Sequence, residues 1–67
     1  MTVGTKIAQT IANCESVLAN LHSFTLDTQD QNVKQMFKNL AQQQQMILES
    51  LKSRQAYIES EEPQYKQ

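Results

Sequence analysis

Residues 7–40 read IAQTIANCESVLANLHSFTLDTQDQNVKQMFKNL, and this stretch decides the fold. It holds the first of two apolar stripes, a short break, and the beginning of the second stripe. The first stripe consists of Ile7, Ile11, Cys14, Leu18 and Leu21. The second stripe consists of Val33, Phe37, Leu40, Gln44, Ile47, Leu51, Arg54 and Ile58. Alternating steps of four and three residues place each set on one face of a helix.

The break between the stripes predicts the topology. Thr25-Leu26-Asp27-Thr28 is too short to let the second helix do anything but turn back along the first. We therefore predict an all-α fold, an antiparallel two-helix hairpin over residues 1–60, with helix 1 at about 4–24 and helix 2 at about 29–60. Thr28 and Gln31 fit a capping box for helix 2. Pro63 ends that helix, and residues 61–67 are expected to form an extended tail.

The two predicted helices differ in length, about 31 Å against about 48 Å at 1.5 Å per residue. Helix 2 is expected to extend past helix 1 after about Leu51, which leaves Tyr57 and Ile58 uncovered. Uncovered apolar ends favour a second copy or another partner. The predicted oligomer interface consists of Leu51, Arg54, Tyr57 and Ile58, with the Arg54 guanidinium reaching a carboxylate of a partner chain.

Helix 1 has apolar residues on more than one side. Val3, Val17 and Phe24 continue onto a flank, and three alanines form a small-residue strip on the other side, at Ala8, Ala12 and Ala19. Two such sides indicate a second interface, and they predict a homodimer in which two hairpins form a four-helix bundle. The alternative is that the alanines are there because alanine is a good helix former.

Composition excludes several classes of partner and location. The chain has 67 residues, one cysteine, six Lys and Arg, and seven Asp and Glu, for a formal charge of −1. Without a basic cluster there is no electrostatic case for nucleic acid or an anionic membrane surface. No apolar run approaches the roughly 20 residues that a membrane span needs, and the N-terminal residues lack the apolar core of a signal peptide. We expect a cytoplasmic protein.

No catalytic, cofactor-binding or metal-binding constellation is predicted, and an enzyme is not expected. Cys14 lies in the first stripe and is interpreted as a small buried hydrophobe. His22 is too far from Glu15 to share a metal with it, and lies where it can interact with the end of the helix dipole. Gln44 sits at a core-type position, where a buried amide can fix the register; alternatively, a slight helix rotation turns it to the rim.

Two functional hypotheses follow. The first is a non-enzymatic interaction module, a dimeric bundle that presents a helical face, or a tail carrying Pro63 and Tyr65, to another protein. The second is a carrier of a small ligand or ion, using the bundle interior around Gln44 and Cys14.

Several segments resemble one short helical family. They are TVGT at 2–5, FTLDTQDQ at 24–31, AQQ at 41–43 and EEPQYKQ at 61–67. The family is the domain-of-unknown-function family sixteen fifty-seven of endospore-forming Firmicutes, and the resemblance spans essentially the whole chain. It implies a bacterial, intracellular protein associated with sporulation, in the forespore or spore, with no established activity and no catalytic residues to transfer. A proline that is frequent in the family near Ser53 is absent here, so helix 2 is expected to run straighter.

Overall fold

The fold is an antiparallel helical hairpin, which a computed structural model describes over residues 2–61. Helix α1 spans Val3–Asp27 and helix α2 spans Gln31–Glu61, with a connector of three residues between them. No strand occurs among the described residues, and the prediction of an all-α hairpin is confirmed. The Cα atoms extend over 48 × 17 × 11 Å, so the hairpin is a long, flat body with two broad faces.

Helix α1 runs three residues beyond its predicted end. It begins after Thr2, whose side-chain oxygen accepts the backbone N–H of Thr5 at 3.1 Å. Near its other end, Thr25 is buried and its hydroxyl donates to the Leu21 carbonyl oxygen at 3.0 Å. Because Thr25 packs inside the hairpin instead of forming the break, the helix continues to Asp27.

The predicted capping box at the start of α2 is wrong. The cap is Asp30, whose Oδ1 accepts the backbone N–H groups of Asn32 at 2.9 Å and Val33 at 3.2 Å. Thr28 instead closes the end of α1, with its backbone N–H bonded to the Phe24 carbonyl oxygen at 3.0 Å. The extension of α1 uses Thr28, so the next acceptor along the chain caps α2.

The two helices meet along a seam of heptad spacing, in which every position is buried or half-buried. In α1 these are Gly4, Ile7, Ile11, Cys14, Leu18, Leu21 and Thr25; in α2 they are Lys34, Phe37, Ala41, Gln44, Leu48, Leu51, Gln55 and Ile58. The most buried hydrophobic members are Ile11 at 8% exposure, Ala41 at 6%, Leu48 at 3% and Ile58 at 6%. The seam keeps steps of three and four residues along both helices, as in a coiled coil.

Half of the predicted stripe on α2 lies outside the seam. Leu40 and Ile47 are exposed, and the residues that follow them, Ala41 and Leu48, are buried instead. Both choices keep heptad spacing, since they share Phe37, Gln44, Leu51 and Ile58. The prediction favoured the bulkier side chains, whereas a small alanine in the seam lets the two helices approach closely.

The predicted overhang of Ile58 is also wrong. Gln44 is level with Cys14, and Phe37 with Phe24, because these pairs are in contact. At equal rise per residue, Ile58 is then level with the beginning of α1, close to its N-cap Thr2, and its side chain is only 6% exposed. The longer α1 therefore covers the part of α2 that was expected to be bare.

Candidate functional site

One broad face of the hairpin carries most of the exposed large hydrophobic side chains. We call it the apolar face, and its members are Val3, Val17, Phe24, Val33, Met36, Leu40, Ile47 and Tyr57. Their exposed fractions run from 36% to 53%. Each one directly precedes a seam residue in the sequence, which places all eight on the same side of the antiparallel pair. The rings of Phe24 and Phe37, with centroids 5.1 Å apart, stack between the helices on this side.

The opposite broad face carries charged and polar side chains, together with one exposed large hydrophobic residue, Leu26. We call it the polar face, and it is formed by residues that directly follow seam positions. Its polar members include Glu15, His22, Lys38, Gln42, Gln45, Glu49, Lys52 and Glu59, and between them lie Ala8, Ala12, Ala19 and Ala56. The Lys52 ammonium lies 3.5 Å from a carboxylate oxygen of Glu15, so an ion pair joins the two helices here. An open groove of about 590 Å³ lies on this face near the connector, lined by His22, Thr25, Leu26, Lys38, Ala41, Gln42 and Gln45.

Gln44 occupies a half-buried position in the middle of the seam. Its side-chain amide donates a hydrogen bond of 3.0 Å to the backbone carbonyl oxygen of Cys14. Of the two interpretations of Gln44, the inward one therefore describes the structure. Cys14 lies beside it in the seam with a half-buried side chain and a free thiol.

The four residues predicted to form the oligomer interface fall into two groups. Arg54 and Tyr57 are exposed together, with the guanidinium carbon 5.1 Å from the centre of the Tyr57 ring. Leu51 and Ile58 face the seam, where they pack within the hairpin. Pro63 and Tyr65 of the predicted tail lie outside the described residues.

The sequence analysis missed the extent of the apolar face on α2. Met36, Leu40 and Ile47 belong to it, whereas the spacing of the second stripe predicts Leu40 and Ile47 in the seam and leaves Met36 unassigned. The signal was present in the spacing: a large apolar residue directly precedes a seam position in five of the heptad steps of α2, at 33, 36, 40, 47 and 57. Such a widened stripe is typical of helices with two neighbours.

Residues 2–61 offer little for a chemical site. They contain no group of three or more His, Cys, Asp or Glu side chains arranged to hold a metal ion. His22 is exposed on the polar face, away from Cys14 in the seam. Neither helix, as described, is both long enough and apolar enough to cross a membrane.

The sequence pattern of one family, described as "Protein of unknown function (DUF1657)", matches residues 7–54. The chain belongs to this family. The match begins at Ile7, in the second turn of α1, and ends at Arg54, so in this DUF1657 chain it covers most of the seam and most of the apolar face. No curated protein and no solved structure matches the DUF1657 chain.

Proposed function

We propose that the protein is a non-enzymatic helical interaction module that pairs with a second copy of itself through the apolar face, forming a four-helix bundle. One observation carries the proposal. Among the described residues, eight of the ten large hydrophobic side chains that are exposed lie on this one face, and only Leu26 and Met46 lie elsewhere.

The small core of the hairpin supports a need for such a partner. Four hydrophobic residues are buried, and no described side chain is fully buried. A chain of about 60 residues buries too little surface on its own to be more than marginally stable, and oligomerisation is a common remedy. Pairing through the apolar face adds a second apolar layer to the one in the seam.

The broad face that carries the exposed hydrophobic side chains is large enough for a stable dimer. The hairpin extends 48 Å along its helices and 17 Å across them, so each broad face covers about 800 Å². A standard protein interface buries about 800 Å² on each partner. The charged residues on this side, Lys6, Arg54 and Asp27, lie near its ends, and its middle carries none among the described residues. This supports the same use, because side chains in the centre of interfaces are seldom charged.

In the proposed dimer, two of the four predicted interface residues contact the second copy directly. Arg54 and Tyr57 lie at one end of the apolar face, where the aromatic ring can pack on the second copy and the guanidinium can reach its carboxylates. Leu51 and Ile58 contribute indirectly, because they pack in the seam and hold this end of α2 against α1.

The remaining functional predictions rest on less. Three predictions rest on the sequence and its resemblance alone. They are that Pro63 and Tyr65 bind a further partner, that the protein is located in the cytoplasm or spore, and that it is linked to sporulation. A carrier function around Gln44 and Cys14 has weaker support than pairing, because the Gln44 amide that would meet a ligand already donates to the Cys14 carbonyl.

The test compares charge substitutions on and off the apolar face. Leu40→Glu/Ile47→Glu places two carboxylates in the centre of the proposed interface, and Met46→Glu places one on an exposed apolar residue outside it. Sedimentation equilibrium should give a monomer for the double variant and a dimer for both Met46→Glu and the wild type. A wild type that is a folded monomer, or a double variant with the mass of the wild type, would overturn the proposal.

A further inference from the structure

The edge of α1 along the apolar face carries charges of opposite sign at its two ends. At the open end, where α1 begins and α2 runs alongside it, the cations Lys6 and Arg54 border the face, and the Glu61 carboxylate lies two turns past Arg54. At the connector end stand the carboxylates of Asp27 and Asp30, with Lys34 in the adjoining seam. The middle of the face, among the described residues, bears no charge. Such a face can distinguish between two ways of packing on a copy of itself.

The edge of α1 shows the same polarity in a single column. Lys6, Asn13, Asn20 and Asp27 follow one another at intervals of seven residues, each three residues after a position on the apolar side of α1. Because the seam keeps heptad spacing, these four share one side of the helix. When a second copy of this column lies antiparallel beside the first, Lys6 meets Asp27 of the other copy and Asn13 meets Asn20.

Both charges of this column stand at unfavourable ends of their own helix. Lys6 lies near the N-terminus of α1, where the helix dipole disfavours a cation, and Asp27 is its last residue, where the dipole disfavours an anion. Neither placement helps the isolated hairpin. A partner that brings the opposite charge to each end would compensate both.

Two-fold symmetry allows two ways of packing apolar face on apolar face. In the aligned arrangement the axis runs along the helices, the open ends lie together, and α1 packs on α2 of the second copy. In the opposed arrangement the axis runs across the helices, and the open end of each copy lies against the connector of the other. There α1 packs antiparallel on the second α1, and α2 on the second α2.

We propose that the partner is a second copy in the opposed arrangement, selected by the pairing of Lys6 with Asp27 of the other chain; this rests on the proposed function. The aligned arrangement brings Lys6 next to Arg54 of the other copy and gathers four cations at the end where the two Glu61 carboxylates also lie. The opposed arrangement pairs Lys6 with Asp27 twice and brings each Arg54 to the connector end that bears Asp30. Glu61, two turns beyond Arg54, then lies past the connector of the second copy.

The pairing also fixes where the symmetry axis crosses the hairpin. Lys6 and Asp27 are equally distant from a point between Ser16 and Val17 of α1. The contacts of Gln44 with Cys14 and of Phe37 with Phe24 make that point level with about Gln43 of α2. Gln43 should therefore lie next to its own copy, whereas Ser50, seven residues along the same side of α2, should be about 20 Å from its copy.

Charge reversal tests the pairing. Lys6→Asp should weaken the dimer about tenfold in dissociation constant, because two pairs become repulsive, and Lys6→Asp/Asp27→Lys should restore it to within about threefold of the wild type. The aligned arrangement predicts the opposite sign for the single variant, because the new carboxylate would then meet Arg54. A Lys6→Asp dimer that is as tight as the wild type, or tighter, overturns the opposed arrangement.

Disulfide trapping gives a second readout that does not depend on charge. In a Cys14→Ser background, Gln43→Cys should form an intermolecular disulfide in a glutathione buffer, and the matched variant Ser50→Cys should not. Failure of Gln43→Cys to cross-link in a chain that sediments as a dimer overturns the arrangement and leaves the proposed function standing. A wild type that is monomeric overturns both.

Discussion

The side-chain amide of Gln44 donates to the backbone carbonyl oxygen of Cys14, and this hydrogen bond of 3.0 Å ties the two helices together in the middle of the seam. A slip of α2 by one heptad would bring Phe37 or Leu51 to the Cys14 carbonyl and move the amide to the level of Ile7 or Leu21, whose side chains are bulkier than that of Cys14. Burying an amide without a partner costs free energy, so the small Cys14 side chain beside the acceptor favours the observed register.

Replacement of Gln44 by glutamate should show the importance of the donor. Gln44→Glu keeps the size of the side chain and puts a carboxylate beside a carbonyl oxygen, so at pH 7 the free energy of unfolding should fall by about 1–3 kcal/mol. Burial beside an acceptor raises the pKa of the introduced carboxyl in the folded state. The destabilisation should therefore be absent below the ordinary glutamate value of about 4.3 and grow as the pH rises. Urea denaturation at several pH values measures it.

The matched control for this substitution is Gln42→Glu, two residues away and exposed on the polar side of α2. It introduces the same charge outside the seam, and its free energy of unfolding should stay within about 0.5 kcal/mol of the wild type. Equal losses in the two variants would mean that the bond to Cys14 does not contribute to stability.

The capping of α2 makes a second prediction. Asp30→Ala removes the acceptor of two backbone N–H groups and should cost about 1 kcal/mol, whereas Asp30→Asn should retain most of the cap. Thr28→Ala should cost less, because the Thr28 backbone, not its hydroxyl, closes α1. Thermal unfolding followed by circular dichroism gives the ranking, and a larger loss for Thr28→Ala would contradict the assigned cap.

Alanine substitutions at two neighbouring residues of α2 should differ in how the loss of stability depends on protein concentration. Leu48, at 3% exposure, packs in the seam, so Leu48→Ala should cost about 2–5 kcal/mol in the hairpin itself. Ile47, at 51% exposure, lies on the apolar face, so Ile47→Ala should act through the dimer. Its melting temperature should then fall further below that of the wild type as the protein is diluted from conditions where the wild type is dimeric. A concentration-independent shift for Ile47→Ala would argue against pairing.

The ion pair between Lys52 and Glu15 should matter little to stability. Both side chains are about half exposed, at 52% and 53%, and the charged atoms are 3.5 Å apart. Solvent and salt screen such pairs, and Lys52→Met should change the free energy of unfolding by less than about 1 kcal/mol. A loss that is large and persists in 1 M NaCl would show that the polar face contributes more than its geometry indicates.

The hairpin follows from the sequence because its causes are local. Regular apolar spacing builds two helices, and a short connector leaves them no geometry other than antiparallel. The seam on α1 is likewise readable: Ile7, Ile11, Cys14, Leu18 and Leu21 all lie where the spacing puts them. Gln44 was placed at an inner position by the same spacing, although its acceptor on the other helix lies 30 residues away in the chain.

The seam on α2 could not be read with the same certainty, for a physical reason. Two heptad series run along its apolar residues, displaced by one residue at every second position. The series that carries more large apolar side chains is the one that lies partly outside the seam, and burial in the hairpin decides between the two. The bulky members Leu40 and Ile47 point to the broad face, and the seam takes Ala41 and Leu48. The predicted overhang of α2 is wrong for a related reason, because the end of α1 depends on the packing of Thr25 within the fold.

Sedimentation equilibrium of the wild-type chain, with helicity followed by circular dichroism, tests the central claim most directly. The chain mass is 7.7 kDa. Pairing through the apolar face predicts twice this mass at about 100 µM, with reversible dissociation on dilution. A mass of 7.7 kDa at every concentration, in a chain that keeps its full helicity, would contradict it.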